Sequence, residues 1–212
     1  MHLPSDEGIR ELFERRGVLL VPAFLTATEA DVLATTALEA SARHSVRIRR
    51  SSDEHLLDYS VVPGDVIQRD ATPVYELYQS ARLLRWIQWV TATPAAGLSP
   101  HVRSAVNINV LESPGQQYRW HHDAVPFTAL LFLTSLPASA GGEFLIRTRE
   151  DELMAIAPVA GQLVVIDGHR CPHAVAPLRE HAVRLTVPMV FPAYDVERPL
   201  DLDDYLYSAD RS

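Results

Sequence analysis

This sequence has no lysine: all nineteen of its basic residues are arginine, in a chain of 212 residues. Without a lysine amine the chain cannot form a Schiff base with pyridoxal phosphate, and it cannot build the Walker-type phosphate loop. Cysteine is almost absent too. Cys171 is the only one, which excludes an intrachain disulfide and any cysteine-built zinc site. Positive charge is scarce overall, with a formal net charge of -8. That argues against nucleic-acid and anionic-membrane partners, because phosphate contact needs a basic surface. No apolar run approaches a membrane span, and the opening residues from Met1 to Glu7 lack the basic and apolar regions of a secretory leader. The expectation is a soluble, cytoplasmic protein.

What is present suits an ordinary globular chain: 47% hydrophobic and 22% charged residues, at a length that favours one domain over residues 1–212. Residues 1–103 read as a helix-rich support. Ser5 is a candidate cap for a short helix ending at Gly17, and the apolar run from Gly17 to Leu25 reads as a buried strand. Thr26-x-x-Glu29 is a capping box that opens a helix to about Arg43. Residues 44–70 are polar and irregular, so a solvated loop or a substrate-covering lid is expected, with Arg47, Arg49 or Arg50 available to hold a carboxylate. Thr72-Pro73 starts a helix that the pattern carries to about Ala92, with Trp86 and Trp89 facing the core.

From residue 104 the pattern changes to strands. Val106, Ile108 and Val110 alternate with Asn107 and Asn109, so both amides share one face. Strands follow over 127–136, 143–147, 162–167 and 182–191, punctuated by Gly and Pro. An α-rich half followed by such strands predicts an α+β fold with a jelly-roll core over 104–192, flanked by N-terminal helices. Residues 193–212 read as an acidic tail, solvated or loosely docked.

The chemistry concentrates between Tyr118 and Thr186. His121 and Asp123 have the same parity, so an extended segment points both to one side and His122 to the other. With His173 about fifty residues on, they supply two imidazoles and a carboxylate, the facial triad of non-haem iron(II) oxygenases. Arg184 and Thr186 offer a planar fork and a hydroxyl on one strand face, suited to a co-substrate carboxylate. His169 reads as exposed or as a neighbour of the metal ligands, and Cys171 as an oxidation liability.

These residues resemble the iron(II)/2-oxoglutarate-dependent oxygenases. The run from Gly115 to Asp123 is similar to the Gly-x-x-Tyr-x-x-His-x-Asp run of prolyl-hydroxylase-like members. Gly141-Gly142-Glu143-Phe144 and Pro172-His173, followed eleven residues later by Arg184-x-Thr186, extend the likeness over roughly residues 105–192. The latter half also resembles the subgroup of free-amino-acid halogenases and hydroxylases. The resemblance implies a double-stranded β-helix that binds Fe(II) through His121, Asp123 and His173. It also implies 2-oxoglutarate with its far carboxylate on Arg184 and Thr186, and O2 as oxidant. Prolyl-hydroxylase-like members often place a tyrosine where this chain has Glu112, so Tyr118, Asn107 or Asn109 is left as the further co-substrate contact. In the halogenases a small residue replaces the triad carboxylate to admit chloride. Asp123 is retained here, which implies hydroxylation or a related oxidation.

The expected substrate is a small polar molecule, an amino acid or a derivative, with Tyr118, Trp120, Arg147 and the arginines near residue 50 as candidate contacts. Three alternatives stay open: a hydroxylase of peptide or protein side chains, a non-catalytic metal-binding sensor, and a zinc-type isomerase or hydrolase. The oligomeric state is left open by the sequence.

Overall fold

Residues 1–52, 55–193 and 202–207 are described by the structure, a computed structural model. Helix α1 (Glu7–Arg16) is capped by Asp6, whose carboxylate accepts from the Gly8 N–H, so the cap lies one residue beyond Ser5. Gly17 ends the helix in the left-handed region at φ 69, returning its N–H to Phe13. Strand β1 (Val18–Val21) follows directly, shorter than the apolar run suggests. Helix α2 (Ala27–His44) starts from a complete capping box: Thr26 Oγ1 accepts from the Glu29 N–H, and the Glu29 carboxylate accepts from the Thr26 N–H at 2.9 Å.

Two expectations fail in the next stretch. Residues 44–70 are not a loop: they form the hairpin β2 (Val46–Ser52) and β3 (His55–Val62), then helix α3 (Gly64–Asp70). Val46 and Ile48 pair with Val61 and Tyr59, so one face of the hairpin is apolar and the arginines interrupt an alternation that was already present. The Ser52 end of the proposed lid continues into residues 53–54, which lie outside the described residues. The long helix from Thr72 is in fact two, α4 (Thr72–Tyr78) and α5 (Ala81–Val90). Ser80 stops the first turn pattern and caps the second helix, its hydroxyl accepting from the Leu83 N–H at 3.3 Å. Trp86 is buried as expected, with its indole N–H donated to the Pro4 carbonyl at 2.6 Å.

The remaining elements are helix α6 (Val102–Ala105), strands β4 (Ile108–Leu111), β5 (Tyr118–His121), β6 (Phe127–Phe132), β7 (Phe144–Arg147), β8 (Leu153–Ile156), β9 (Leu163–Asp167), β10 (His173–Val175) and β11 (Arg184–Phe191), and helix α7 (Leu202–Tyr207). Seven strands form one sheet in the order β1-β9-β6-β11-β4-β3-β2, and four form another in the order β5-β10-β7-β8, all paired antiparallel. This is the jelly-roll core, with helices α1 to α6 laid on the larger sheet and α7 set against the cavity between the sheets. Part of the acidic tail is therefore helical.

Side-chain alternation divides the large sheet cleanly. Ile108 and Val110, Ala129 and Leu131, Leu163 and Val165, and Leu185, Val187 and Met189 face the helices in the main core. Their neighbours of opposite parity, among them Leu130, Phe132, Val164 and Ile166, face the small sheet and meet Phe144, Ile146 and Ile156. Each such side chain, fully buried, stabilises the fold by roughly 1.5–3 kcal/mol. The same alternation turns Asn107, Asn109, Thr128, Arg184 and Thr186 inward, toward a cavity between the sheets. Among the described residues, no helix is long and apolar enough to cross a membrane.

Candidate metal centre and co-substrate pocket

Strand pairing brings the two histidines together. His121 on β5 is the cross-strand partner of His173 on β10, which places their rings on one face with centroids 4.2 Å apart. Asp123 lies just past the end of β5, and its N–H is donated to the Gly168 carbonyl at 2.8 Å. One ligand atom from each of His121, Asp123 and His173 lies within 4.8 Å of the others. In both rings Nδ1 meets a backbone carbonyl, Arg119 at 2.9 Å and Cys171 at 3.0 Å. That contact fixes each ring so that Nε2 points at the same carboxylate oxygen, Asp123 Oδ1, at 3.6 and 3.5 Å. Thr128 donates its hydroxyl proton to the other oxygen, Oδ2, at 2.6 Å.

Burial alone would push Asp123 upward. The neighbouring imidazoles of His173 and His121 outweigh it and hold the carboxyl far below the usual carboxylate range. The carboxylate fits only because residue 168 is glycine: a Cβ there would stand 2.1 Å from Asp123 Oδ2. His122 is exposed at the cavity edge, as strand parity requires, and His169 is exposed with Nδ1 3.3 Å from the Asp123 carbonyl. The Cys171 thiol is buried, and burial pushes it up to about 11, so it stays protonated and unreactive at neutral pH. The oxidation liability expected of it is accordingly small.

Arg184 lies deeper in the same cavity and is only 1% exposed. Its Nε donates to the Gly142 carbonyl at 2.7 Å and Nη1 to Thr186 Oγ1 at 3.3 Å, while Nη2 is buried with no partner. Burial pushes the guanidinium down to about 9. A buried cation with a spare donor and no carboxylate among its contacts is a receptor for an anion. Asn109 stands beside it: it pairs with Thr186 across β4 and β11, and its Oδ1 is also buried and unpartnered. The residues present therefore suit a ligand that ends in a carboxylate.

The cavity has a volume of about 490 Å³, within the range of roughly 300–1,000 Å³ usual for small-molecule sites. Tyr118 lines it, its ring 4.6 Å from that of His121 and 4.9 Å from that of Tyr59. Trp120 and Arg147 do not line it. Trp120 is 41% exposed, and Arg147 bonds Asp151 on the outer surface at 2.9 Å. Arg47 and Arg49 pair across the hairpin with Ser60 and Asp58, on the face away from the cavity, whereas Arg50 pairs with Leu57 on the cavity face. Sequence reasoning missed Thr128, Gly168, the β3 side chains Leu57, Tyr59 and Val61, and Tyr207. Only the β3 alternation and the Leu206-Tyr207 pair carried a signal, an apolar face within polar surroundings.

A jelly roll that opens on such a cavity has the architecture of the iron(II)/2-oxoglutarate-dependent dioxygenases, which use Fe(II), 2-oxoglutarate and O2, and this chain is an enzyme of that class. Within it, the chain belongs to the family described as Halogenase D, whose model matches residues 4–203. Similar solved structures include a Pseudomonas putida prolyl-4-hydroxylase, 22% identical over 88% of this chain and 97% of that one, with a TM-score of 0.67. The carbocyclase SnoK from nogalamycin biosynthesis is 17% identical over 97% and 92% of the two chains, with a TM-score of 0.72. The epimerase SnoN, in complex with Fe3+, alpha ketoglutarate and nogalamycin RO, is 16% identical over 88% and 83%, with a TM-score of 0.71. No curated protein matches the sequence.

Proposed function

We propose that the enzyme hydroxylates, or otherwise oxidises, an unactivated C–H bond of a small polar molecule, an amino acid or a derivative of one. The observation that carries this reading is the aim of His121 and His173 Nε2 at one oxygen of Asp123, in the cavity that also holds the unpartnered Nη2 of Arg184. His121, Asp123 and His173 would hold iron(II). Arg184 and Thr186 would hold the far carboxylate of 2-oxoglutarate, with Asn109 beside Thr186 and Tyr118 nearer the metal side as further contacts. Iron(II) bound there with 2-oxoglutarate and O2 supplies the oxidation, with succinate and CO2 as co-products.

The protein's own part is placement and exclusion. The carbonyls of Arg119 and Cys171 orient the imidazoles, Thr128 orients the carboxylate, and the apolar walls of both sheets keep bulk water from the reacting centre. Asp123 supports oxygenation over halogenation, since it occupies the position that the resembled halogenases leave to a small residue. Purified protein given iron(II) and 2-oxoglutarate without oxygen should develop the weak visible charge-transfer band of the chelate. His173→Ala should remove the band, and Asp123→Ala should abolish substrate-dependent succinate release. Full turnover by Asp123→Ala overturns the assignment.

A further inference from the structure

One turn of the chain, residues 167–171, touches two of the three metal ligands. The Gly168 carbonyl accepts from the Asp123 N–H at 2.8 Å, and His169 Nδ1 lies 3.3 Å from the Asp123 carbonyl. The Cys171 carbonyl meets His173 Nδ1 at 3.0 Å. His121 is not held by this turn, since its Nδ1 contact is the Arg119 carbonyl on its own strand. What shapes the turn is Asp167, a buried residue at the end of β9 that does not line the cavity. Its carbonyl accepts from the N–H groups of Arg170 and Cys171 at 3.1 and 2.8 Å, and its Oδ1 accepts from the Arg170 N–H at 3.2 Å. The other oxygen, Oδ2, takes the Arg149 guanidinium, which also donates to the Glu14 carbonyl in the last turn of α1. The Asp167 N–H is donated to the Gly17 carbonyl at 2.8 Å. A carboxylate out of water needs a cation and donors on its oxygens, and here Arg149 and the Arg170 N–H supply them.

We propose that Asp167 is a positioning residue of the metal centre, with Arg149 as its counter-charge. Through the Arg170 N–H the carboxylate fixes the shape of the turn, and the turn sets where Asp123 and His173 stand relative to His121. The pair touches neither metal nor co-substrate in doing so. Groups behind the ligands still govern affinity, because ligands turned out of position no longer close on one point. This inference rests on the metal-binding reading above and adds to it the residues that hold the geometry of the triad.

The test uses the full chain and two metal ions, iron(II) and cobalt(II), each added to the apo-protein without oxygen. Affinity is read by titration, and cobalt(II) at saturation reports ligand geometry through its visible ligand-field bands. Asp167→Asn leaves one oxygen for two donors, Arg149 and the Arg170 N–H. It should weaken iron(II) binding roughly tenfold and shift or broaden the cobalt bands. Arg149→Lys should bind close to wild type, because Oδ2 needs a positive charge more than a fork. The double variant Arg149→Met/Asp167→Leu replaces the ion pair with apolar groups, so its unfolding midpoint should stay near that of the wild type. It still lacks the side-chain acceptor for the Arg170 N–H, and should keep the weakened affinity and altered bands. Arg16→Ala removes the ion pairs with Glu150 and Glu152 at the same corner and should change neither readout. Wild-type affinity and bands in Asp167→Asn overturn the proposal. Recovery of both in the double variant overturns it too, since the pair would then serve the fold alone. A wild-type protein that binds neither ion counts instead against the metal-binding reading.

Discussion

Asp58, on the face of β3 away from the cavity, and Asp123, inside it, both have carboxyls below the ordinary range, yet their surroundings differ in kind. At Asp58, burial is opposed by Arg47, whose fork donates to both oxygens at 3.0 and 2.9 Å, while Gln116 adds a donor at 3.4 Å. Charge meets charge in contact, and nothing is left over. At Asp123 one oxygen takes the Thr128 hydroxyl, and the other faces two imidazole nitrogens that stand off at 3.5 and 3.6 Å. Those separations are too long for a hydrogen bond and short enough for one ion to bridge. The lesson is that a low carboxyl value does not by itself mark a site. What marks it is partners fixed by other bonds at a distance that only a ligand can close.

The contrast can be broken from either side. The largest effect is expected from Arg184→Gln, which removes a buried cation whose donors are not all used. The affinity for 2-oxoglutarate, read by titrating the chelate band, should fall by roughly two orders of magnitude. In the wild type that affinity should also decline as pH rises past about 9, because burial depresses the guanidinium and the protonated form is the one that attracts the anion. Unchanged affinity in the variant would remove the co-substrate role of Arg184.

Gly168→Ala should come next. Its Cβ would displace the Asp123 carboxylate while leaving Asp58 untouched, so iron(II) affinity should drop by about tenfold or more, with the unfolding midpoint little moved. Wild-type metal affinity there would show that Asp123 can relax without cost. The smallest effect is expected from Arg47→Ala, which strips the contact partner from Asp58. Stability in urea should fall by about 1–2 kcal/mol, and the chelate band should be unaffected. A lost band in this variant would mean that the two aspartates are not independent.

Much of this was legible in the sequence, for identifiable reasons. Strand parity paired His121 with Asp123 and left His122 exposed at the cavity edge, outside the ligand group, and the same period two aligned Asn107 with Asn109. Capping chemistry located α2 because both arms of the box are local to residues 26–29. The hairpin β2–β3 was not legible, because arginines fill the outward positions of β2 and mask the alternation beneath. Strands β8 and β10 are only four and three residues long, below the length at which a pattern declares itself. Thr128 and Gly168 act through contacts that sequence spacing does not encode. Tyr207 was hidden in an acidic tail, where it and Leu206 turn out to line the cavity.

Gly17 has a consequence beyond ending α1. A side chain there would meet the Cys171 sulfur at 2.5 Å, and the Cys171 carbonyl is what aims His173. The stop of the first helix therefore packs directly on the residue whose carbonyl orients an imidazole of the site. Anyone seeking to retune metal affinity without entering the pocket has a handle at a helix terminus near the start of the chain.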